Sequence, residues 1–595
     1  LRFIASQRHL SLFPLPGNLR GYAGKDLPGD LKAGLNVALL AFPQGMAYAL
    51  IAGLPIQYGI FGGAVAALVG AFFAGSHFIM LGPTNATSVM LFSTFAVLGL
   101  TTDAERTAVM PLLLTLVGVF LIVGAYLKVA NLIQYISRTV VTGYITAAAT
   151  LIIANQVRNV LGFRFESEEK ASTFFDVVYF TARHLGETDP VAVGFGVVTF
   201  GLFYGLNRRF AGLPNVAITL AVMSVLAWGC MDIGKLEVQT LSAVSVGDWA
   251  LTPPALDFEA LAKLASSALA IALLAVIEGM SIGKSLAARA GARLNANQET
   301  FNVGMANLGC ALFSGMPASG SLTRSVLSWS SGARSPLASL FTGLIVAAGA
   351  FVVGPYIGYI PKAALAVVVI MIGLSLINRR AIRVVMKSTN SDAATFVVTF
   401  ASGLLFALDT AIFLGVALSI MLFLRKASTP ELTEYGFTEE GELAQMRERS
   451  ERAQPEVSIV HVEGNLFFGA AEVFHDQLRR VIADPNLKVI IIKMRNALHL
   501  DATAVMALEE LVTSMKGQER LVLMSECRKD VLRVLKNSGC FEVIGRENLF
   551  PDTPRNPTLS TARALRRAQE VLGGGEANVR IYVNPKKGGD EGPGG

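Results

Sequence analysis

The chain is expected to fold as an all-α polytopic membrane domain followed by a small soluble α/β domain, and three observations predict this. First, 52% of the 595 residues are hydrophobic and only 16% are charged, where a soluble protein carries about 25% charge; the mean hydropathy is +0.52. Second, long stretches lack any Asp, Glu, Lys or Arg. The first lies between Lys32 and Asp103, and at about 20 apolar residues per helical span it holds two spans and part of a third. Third, this texture stops at Leu424, and beyond it short strand and helix signals alternate.

Further charge-free runs follow in order: Thr107–Leu127, Thr139–Val157, Pro190–Asn207, Phe210–Met231, Thr300–Thr323, Ser335–Pro361, Ala363–Asn378, Ala393–Leu408 and Thr410–Leu424. Lipid requires backbone groups to be satisfied within each segment, so helices must fill them. The formal net charge of +6 then reflects Lys and Arg on the cytoplasmic side, not a nucleic-acid surface. The chain opens at Leu1 without Met, as a trimmed start would. Its first 30 residues hold Arg2, Arg8, Arg20 and Lys25 but no signal-type apolar core,. Cys230, Cys310, Cys527 and Cys540 have neither metal-ligand nor C-x-x-C spacing and read as small buried hydrophobes. The six histidines form no ligand cluster, and no nucleophile–base arrangement is visible, which excludes an enzyme reading; no cofactor is implied.

After Arg425-Lys426 comes a polar stretch to Pro455. Ser458–Glu463, Lys488–Met494 and Arg520–Glu526 then predict strands, and Ala471–Ile482, Thr503–Met515 and Arg528–Lys536 amphipathic helices; this alternation argues a small α/β domain. The expected boundaries are a cytoplasmic N-terminal segment over 1–30, a transmembrane domain over 31–425, a linker over 426–455, a soluble domain over 456–572 and a disordered Gly-rich tail over 573–595.

The apolar part carries a weak internal repeat. Gln44-Gly45-Met46 and Glu278-Gly279-Met280 each follow an apolar run. About forty residues further come two Gly-containing breaks with hydroxyls, Gly82-Pro83-Thr84-Asn85 and Ser319-Gly320-Ser321-Leu322-Thr323-Arg324. Broken helices at membrane depth line cavities, and a matched pair of them points to a transporter's substrate site. A helix restarting at each break presents unpaired N–H groups and partial positive charge, suited to an anion. Thr84, Ser321 and Thr323 add hydroxyls, and Arg324 adds a full charge. Glu278 follows fourteen uncharged residues, Leu264–Ile277, and an ionisable group in such a position is a functional candidate. A carboxyl beside an anion couples anion binding to its own protonation, because negative substrate favours the neutral acid. The rival reading is a static ion pair with Lys284, which lies on a different helix face, or with Arg324. Gly279-Met280-Ser281-Ile282-Gly283-Lys284-Ser285 imitates a phosphate-binding loop, but only three residues separate its glycines and no strand precedes it,.

At these residues the chain resembles the SulP family of anion transporters, from about Asp26 to about Gln569. The motifs are Phe42-Pro-Gln-Gly-Met-Ala-Tyr-Ala-Leu-Ile-Ala-Gly-Leu-Pro55, Gly82-Pro83-Thr84, and Ser319-Gly-Ser-Leu-Thr-Arg-Ser325 followed by Ser331-Gly332. The resemblance implies about fourteen membrane segments in two inverted repeats of seven, forming a core and a gate domain, with the anion between the starts of segments three and ten. It places Gln44, Tyr48, Thr84, Asn85, Ser321, Leu322, Thr323 and Arg324 around the substrate, and Glu278 at an acidic position associated with coupling to protons, or to sodium where Asp stands there. Relatives often carry Asn where this chain has Ser328, and Phe where it has Tyr48. The C-terminal part resembles a STAS domain; the position phosphorylated in anti-sigma factor antagonists is here Ala502, in Asp501-Ala502-Thr503-Ala504, which removes that switch unless Thr503 substitutes. The implied function is secondary active transport of sulfate, bicarbonate or dicarboxylate, by proton symport or exchange and an elevator-like movement. An uncoupled channel and sodium-coupled bicarbonate uptake are the alternatives. The implied partners are the anion, the lipid of a plasma or inner membrane, and a second copy bound through the STAS domain, with both termini cytoplasmic. A nucleobase permease is disfavoured by the Ser-Leu-Thr-Arg run and the STAS domain.

Overall fold

A computed structural model of the chain describes residues 10–428, 431–437, 443–445, 456–553 and 559–573, apart from 130–136, 164–172, 211–213, 235, 246, 248 and 256. Most of the tail expected beyond 573 and the first nine residues lie outside the described residues. The chain divides into two compact units, Leu1–Ser419 and Ile420–Gly595.

The first unit is helical. Its principal helices are α1 (Leu27–Ala52), α2 (Ile56–Phe73), α3 (Asn85–Leu98), α4 (Asp103–Tyr126), α5 (Arg138–Leu161), α6 (Pro190–Arg209), α7 (Asn215–Asp232), α8 (Phe258–Arg289), α9 (Ala296–Leu312), α10 (Leu322–Ser330), α11 (Leu337–Val353), α12 (Lys362–Leu376), α13 (Asn390–Leu405) and α14 (Leu408–Ala427). Ten of the described helices are long and apolar enough to cross a membrane. The other four are α9 and α13, with 17 and 16 residues, and α3 and α10, with 14 and 9. The last two are short because a three-residue strand precedes each: β1 (Leu81–Pro83) before α3 and β2 (Ala318–Gly320) before α10. A short helix also follows the fifth and the twelfth, at Phe174–Arg183 and Arg379–Ser388.

These positions divide the unit into two sets of seven. The repeated triplets fall on the first helix of each set, α1 and α8, and the breaks before the third, α3 and α10. β1 and β2 pair antiparallel, so the third and tenth segments run in opposite directions and the two sets are inverted. Packing sorts the helices differently. α1–α4 pack with α8–α11, while α5 and α6 pack on α12 and α5 on α13. The first group is the core and the second the gate of the expected architecture. Small residues let the core close: α1 and α2 cross at Gly45 and Gly59, where a Cβ on Gly59 would overlap the Gly45 carbonyl. Gly53 and Gly99 end α1 and α3 with φ of 72° and 69°, the left-handed geometry glycine adopts without strain.

The expectation that residues 1–30 form a separate segment needs correction. α1 starts at Leu27, and Asp30 in its first turn is fully buried. Its Oδ1 accepts the N–H groups of Arg334 and Ser335 at 2.6 and 3.2 Å, which ties α1 to the α10–α11 turn. Upstream, Ser11 exchanges two hydrogen bonds with the Gln298 side chain on α9.

In the second unit a six-stranded sheet has the order β4-β3-β5-β6-β7-β8, formed by β3 (Glu431–Phe437), β4 (Leu443–Gln445), β5 (Val457–Asn465), β6 (Val489–Leu498), β7 (Leu521–Cys527) and β8 (Leu549–Pro551). β5 to β8 are parallel, and β3 lies antiparallel to β5. β3 and β4 fall within the stretch expected to be a linker, so part of it belongs to the sheet. The signal was hidden by charge, because the stretch from Thr429 to Pro455 is rich in Glu and Arg and reads as a solvated linker,. α15 (Phe468–Ile482), α16 (Ala502–Lys516) and α17 (Lys529–Ser538) cover one face through Val460, Ile490, Ile492 and Met524. α18 (Leu559–Leu572) covers the other through Ile459, Ile491 and Leu523. The alternation of neighbouring residues between faces is the two-residue period of a strand. Asp501 caps α16 by accepting the Ala504 N–H at 3.0 Å, and Thr503 is exposed. Burial among apolar neighbours pushes the Cys527 thiol up to about 12, so it is an inert core residue.

The α1–α2 crossing yields a stability test. Gly59→Ala should lower the thermal midpoint of the purified protein in detergent, at a cost of about 1–3 kcal/mol for overpacking. Gly194→Ala, on α6 with no atom within 4 Å of the new Cβ, should leave it unchanged.

Candidate functional site

The two breaks meet as a ladder. Leu81 lies opposite Gly320, Gly82 opposite Ser319 and Pro83 opposite Ala318, and the Ser321 N–H extends the ladder to Met80 O at 3.1 Å. Such a short ladder leaves open edges, which membrane interiors do not tolerate. Side chains close them. Asn307 on α9 donates to Ala318 O and accepts the Ala318 N–H, both at 3.0 Å. Ser325 Oγ accepts the Met80 N–H at 2.9 Å, and Thr87 Oγ1 donates to Pro317 O at 3.2 Å. None of these three was expected as a site residue from the sequence; an Asn inside the charge-free run Thr300–Thr323 was the available signal for Asn307.

Thr84 is the N-cap of α3, its Oγ1 accepting the Thr87 N–H at 3.3 Å. Ser321 is the N-cap of α10 and makes no side-chain cap bond; its Oγ instead lies 3.3 Å from Thr323 Oγ1. The first N–H groups of α10 are therefore left without a capping side chain. The two helix starts do not abut. Thr84 follows the Pro83–Ala318 end of the ladder and Ser321 the Leu81–Gly320 end, so they are offset by about four strand residues, on the order of 13 Å.

Two charges stand beside the ladder. The Glu278 carboxylate, on α8, accepts hydrogen bonds at Oε2 from Thr84 Oγ1 and Ser319 Oγ, both at 3.1 Å. It is held by hydroxyls, not by Lys284 or Arg324. One acidic side chain thus joins the start of α3 to strand β2. Arg324 is 1% exposed and donates from Nη2 to Pro83 O at 2.7 Å, while its Nε is buried without a hydrogen-bond partner. Among the described residues no carboxylate lies within ion-pair distance of it. Gly82 permits this pose: its φ is +153°, and a Cβ there would lie 2.9 Å from Arg324 Nη1. Behind the ladder Gly320 packs on Gly279, where a Cβ would lie 2.8 Å from the Gly279 Cα.

The remaining candidates divide. Tyr48 is buried and lies within the electrostatic reach of both Arg324 and Glu278. Gln44 stands one turn before it on the same face, buried, with Oε1 unpartnered. Asn85 turns back, its Oδ1 accepting the Ala86 N–H at 3.0 Å. Leu322 and Thr323 are exposed, so Leu322 contributes its backbone at the start of α10 and not a packed side chain. Ser328 is fully buried with its Oγ unpartnered.

Fold and site together define a polytopic membrane anion transporter that carries a STAS domain. The model of the Sulfate permease family matches residues 27–399, and that of the STAS domain residues 450–555; the chain belongs to the sulfate permease family. It is 25% identical over 535 residues to the putative sulfate transporter YvdB of Bacillus subtilis (strain 168), covering 90% of this chain and 98% of that protein. It is 27% identical over 478 residues to human Solute carrier family 26 member 6, covering 76% of this chain and 62% of that one. Among solved structures, SLC26A9 superposes with a TM-score of 0.83 at 20% identity, over 94% of this chain and 93% of that one. The transmembrane domain of the cyanobacterium bicarbonate transporter BicA gives 0.58 at 19% identity, over 67% of this chain and 98% of that one. At these identities the two structures show the shared fold.

Gly82→Ala tests the pose of the guanidinium. The added methyl should displace Arg324 and reduce anion uptake by reconstituted protein roughly tenfold, about 1.4 kcal/mol, while the protein still purifies as a folded species by size exclusion.

Proposed function

We propose that the chain is a secondary active transporter of a small oxyanion of the sulfate, bicarbonate or dicarboxylate class, coupled to protons through Glu278 or working by exchange. The observation that carries this reading is Arg324: a fully buried guanidinium, bonded to one carbonyl and lacking a carboxylate. Burying a cation in this way is costly unless a countercharge joins it, and an oxyanion between the offset starts of α3 and α10 supplies one. Guanidinium geometry suits oxyanions, and the uncapped N–H groups of α10 add donors. Gln44, Tyr48, Ser321 and Thr323 complete the set by their placement. The names of relatives, sulfate and bicarbonate transporters among them, agree with the class.

Glu278 supports coupling because Thr84 donates to it while capping α3. A proton on Glu278 removes its charge from beside the anion and changes what the Thr84 hydroxyl faces. The same carboxylate and hydroxyl oxygens are also hard ligands of the kind that bind sodium, so both gradients belong in the assay. Movement of the core against the gate is supported by the separate packing of the two helix groups. The bonds across that boundary include Tyr144 Oη to Ala86 O at 3.0 Å and the Leu408 N–H to Ser93 Oγ at 2.9 Å. Charge supports the orientation. Connections after even-numbered helices carry Lys128, Arg208, Arg209, Arg289, Arg293 and Arg334, whereas those after odd-numbered helices mix Asp103, Glu105, Asp176, Glu187, Asp189, Glu237 and Asp257 with Arg106, Arg183 and Lys362. Basic connections favour the cytoplasmic side, which supports a reading with both termini and the STAS domain in the cytoplasm.

In liposomes, Glu278→Gln should lose uptake driven by an imposed proton gradient while anion exchange stays measurable; unchanged proton dependence refutes the coupling. Arg324→Ala should raise the KM for uptake by roughly 10- to 100-fold, the loss of one charge-assisted hydrogen bond of about 1.5–3 kcal/mol. An equal KM removes Arg324 from the site.

A further inference from the structure

The two short helices that follow α5 and α12 occupy equivalent places in the two halves but differ in charge. Phe174–Arg183 carries one acid, Asp176, and one base, Arg183. Arg379–Ser388 carries Arg379, Arg380, Arg383 and Lys387 and no acid. All four are exposed, and among the described residues none of them has an ion-pair or hydrogen-bond partner. Their spacing places Arg379, Arg383 and Lys387 in one stripe, four residues apart, with Arg380 beside it. Like charges so placed repel and destabilise an isolated helix. Asn378 nevertheless caps it, its Oδ1 accepting the Ala381 N–H at 3.0 Å.

The helix is also tied to the depth of the bilayer surface. α12 ends at Leu376, so only two residues separate a membrane-spanning helix from this one. Ala381, Ile382 and Val385 are half-buried, and the helix packs on α13 and α5. Val384 and Met386 remain 56% and 44% exposed. A basic stripe beside exposed apolar residues, lying along a membrane surface, is the pattern of an interfacial helix.

We propose that Arg379–Ser388 binds the headgroups of anionic phospholipids, in the leaflet on the side of the even-numbered connections. The four cations meet lipid phosphates, and Val384 and Met386 enter the boundary between headgroups and acyl chains. Because the helix packs on two gate helices, bound lipid holds the gate at the surface against which the core would move. The lipid site itself stands independently of the transport reading, since its test measures lipid and not anion.

The full chain, purified in detergent, is mixed with equimolar phosphatidylglycerol and phosphatidylcholine, and the retained lipids are counted by native mass spectrometry. The wild type should prefer phosphatidylglycerol, and the variant Arg380→Gln/Arg383→Gln/Lys387→Gln should lose that preference by roughly tenfold or more, at about fivefold per charge near an anionic surface. Arg380→Lys/Arg383→Lys should keep it, and salt should weaken it. Equal retention of both lipids by the wild type, or an unchanged preference in the triple variant, overturns the proposal. So does a cross-link from Lys387 to an acidic peptide in a sample without lipid preference, which would assign the stripe to a protein partner.

Discussion

The constraint on which the structure depends is a ladder three residues long, β1 against β2, placed where lipid-exposed backbone is forbidden. A helix satisfies its own N–H and C=O groups; these strands do not, and each needs the other. That requirement shortens α3 and α10, brings the third segment of each half to the same place, and demands that neighbours cover the edges. Asn307, Ser325 and Thr87 supply the missing hydrogen bonds, while Gly62, Gly279 and Gly320 let backbones approach. At Gly62 a Cβ would lie 2.8 Å from the Met316 nitrogen. The core group of helices is, in this sense, a container for six residues.

The ladder also keeps the two charges apart. Glu278 is held by Thr84 and Ser319, one residue from each side of the break, and Arg324 is pinned to the Pro83 carbonyl. Had they paired directly, the geometry would satisfy both and leave the guanidinium no reason to attract a further anion. Hydroxyls stabilise the carboxylate without neutralising it, and a carbonyl orients the guanidinium in the same way. Each charge is therefore fixed in position with its electrostatic demand unmet.

Much of this architecture was legible in the sequence because it depends on local rules. Charge-free runs mark spans wherever lipid excludes ions. The two Gly-Met triplets mark the first helix of each half, and Thr84 and Ser321 are capping residues after a break. What stayed hidden depends on partners far along the chain. Ser319 and Thr84 donate to Glu278 across 41 and 194 residues, and Arg324 reaches Pro83 across 241; no periodicity reports such pairs. The offset of the helix starts is a matter of register, fixed only once Leu81 is known to face Gly320. β3 was lost inside a stretch rich in Glu and Arg because so much charge reads as a solvated linker.

The inverted halves are alike in backbone and unlike in charge, and the difference bears on the proposed coupling. Each half offers a helix start, so the dipoles contribute twice. The side chains do not repeat. Gln44 stands in the first half where Glu278 stands in the second, and the break before α3 has no counterpart of Arg324. Among the described residues, the side-chain charge placed against the ladder is therefore one cation and one carboxylate. With both ionised, an arriving anion meets a local sum near zero. With Glu278 protonated, the same anion meets a net positive charge and two helix starts. A second carboxylate at position 44 would cancel that gain, and a second arginine would hold the anion regardless of the proton. Under the proposed coupling, a single ionisable carboxyl, present in one half only, would suffice to make anion binding depend on proton binding.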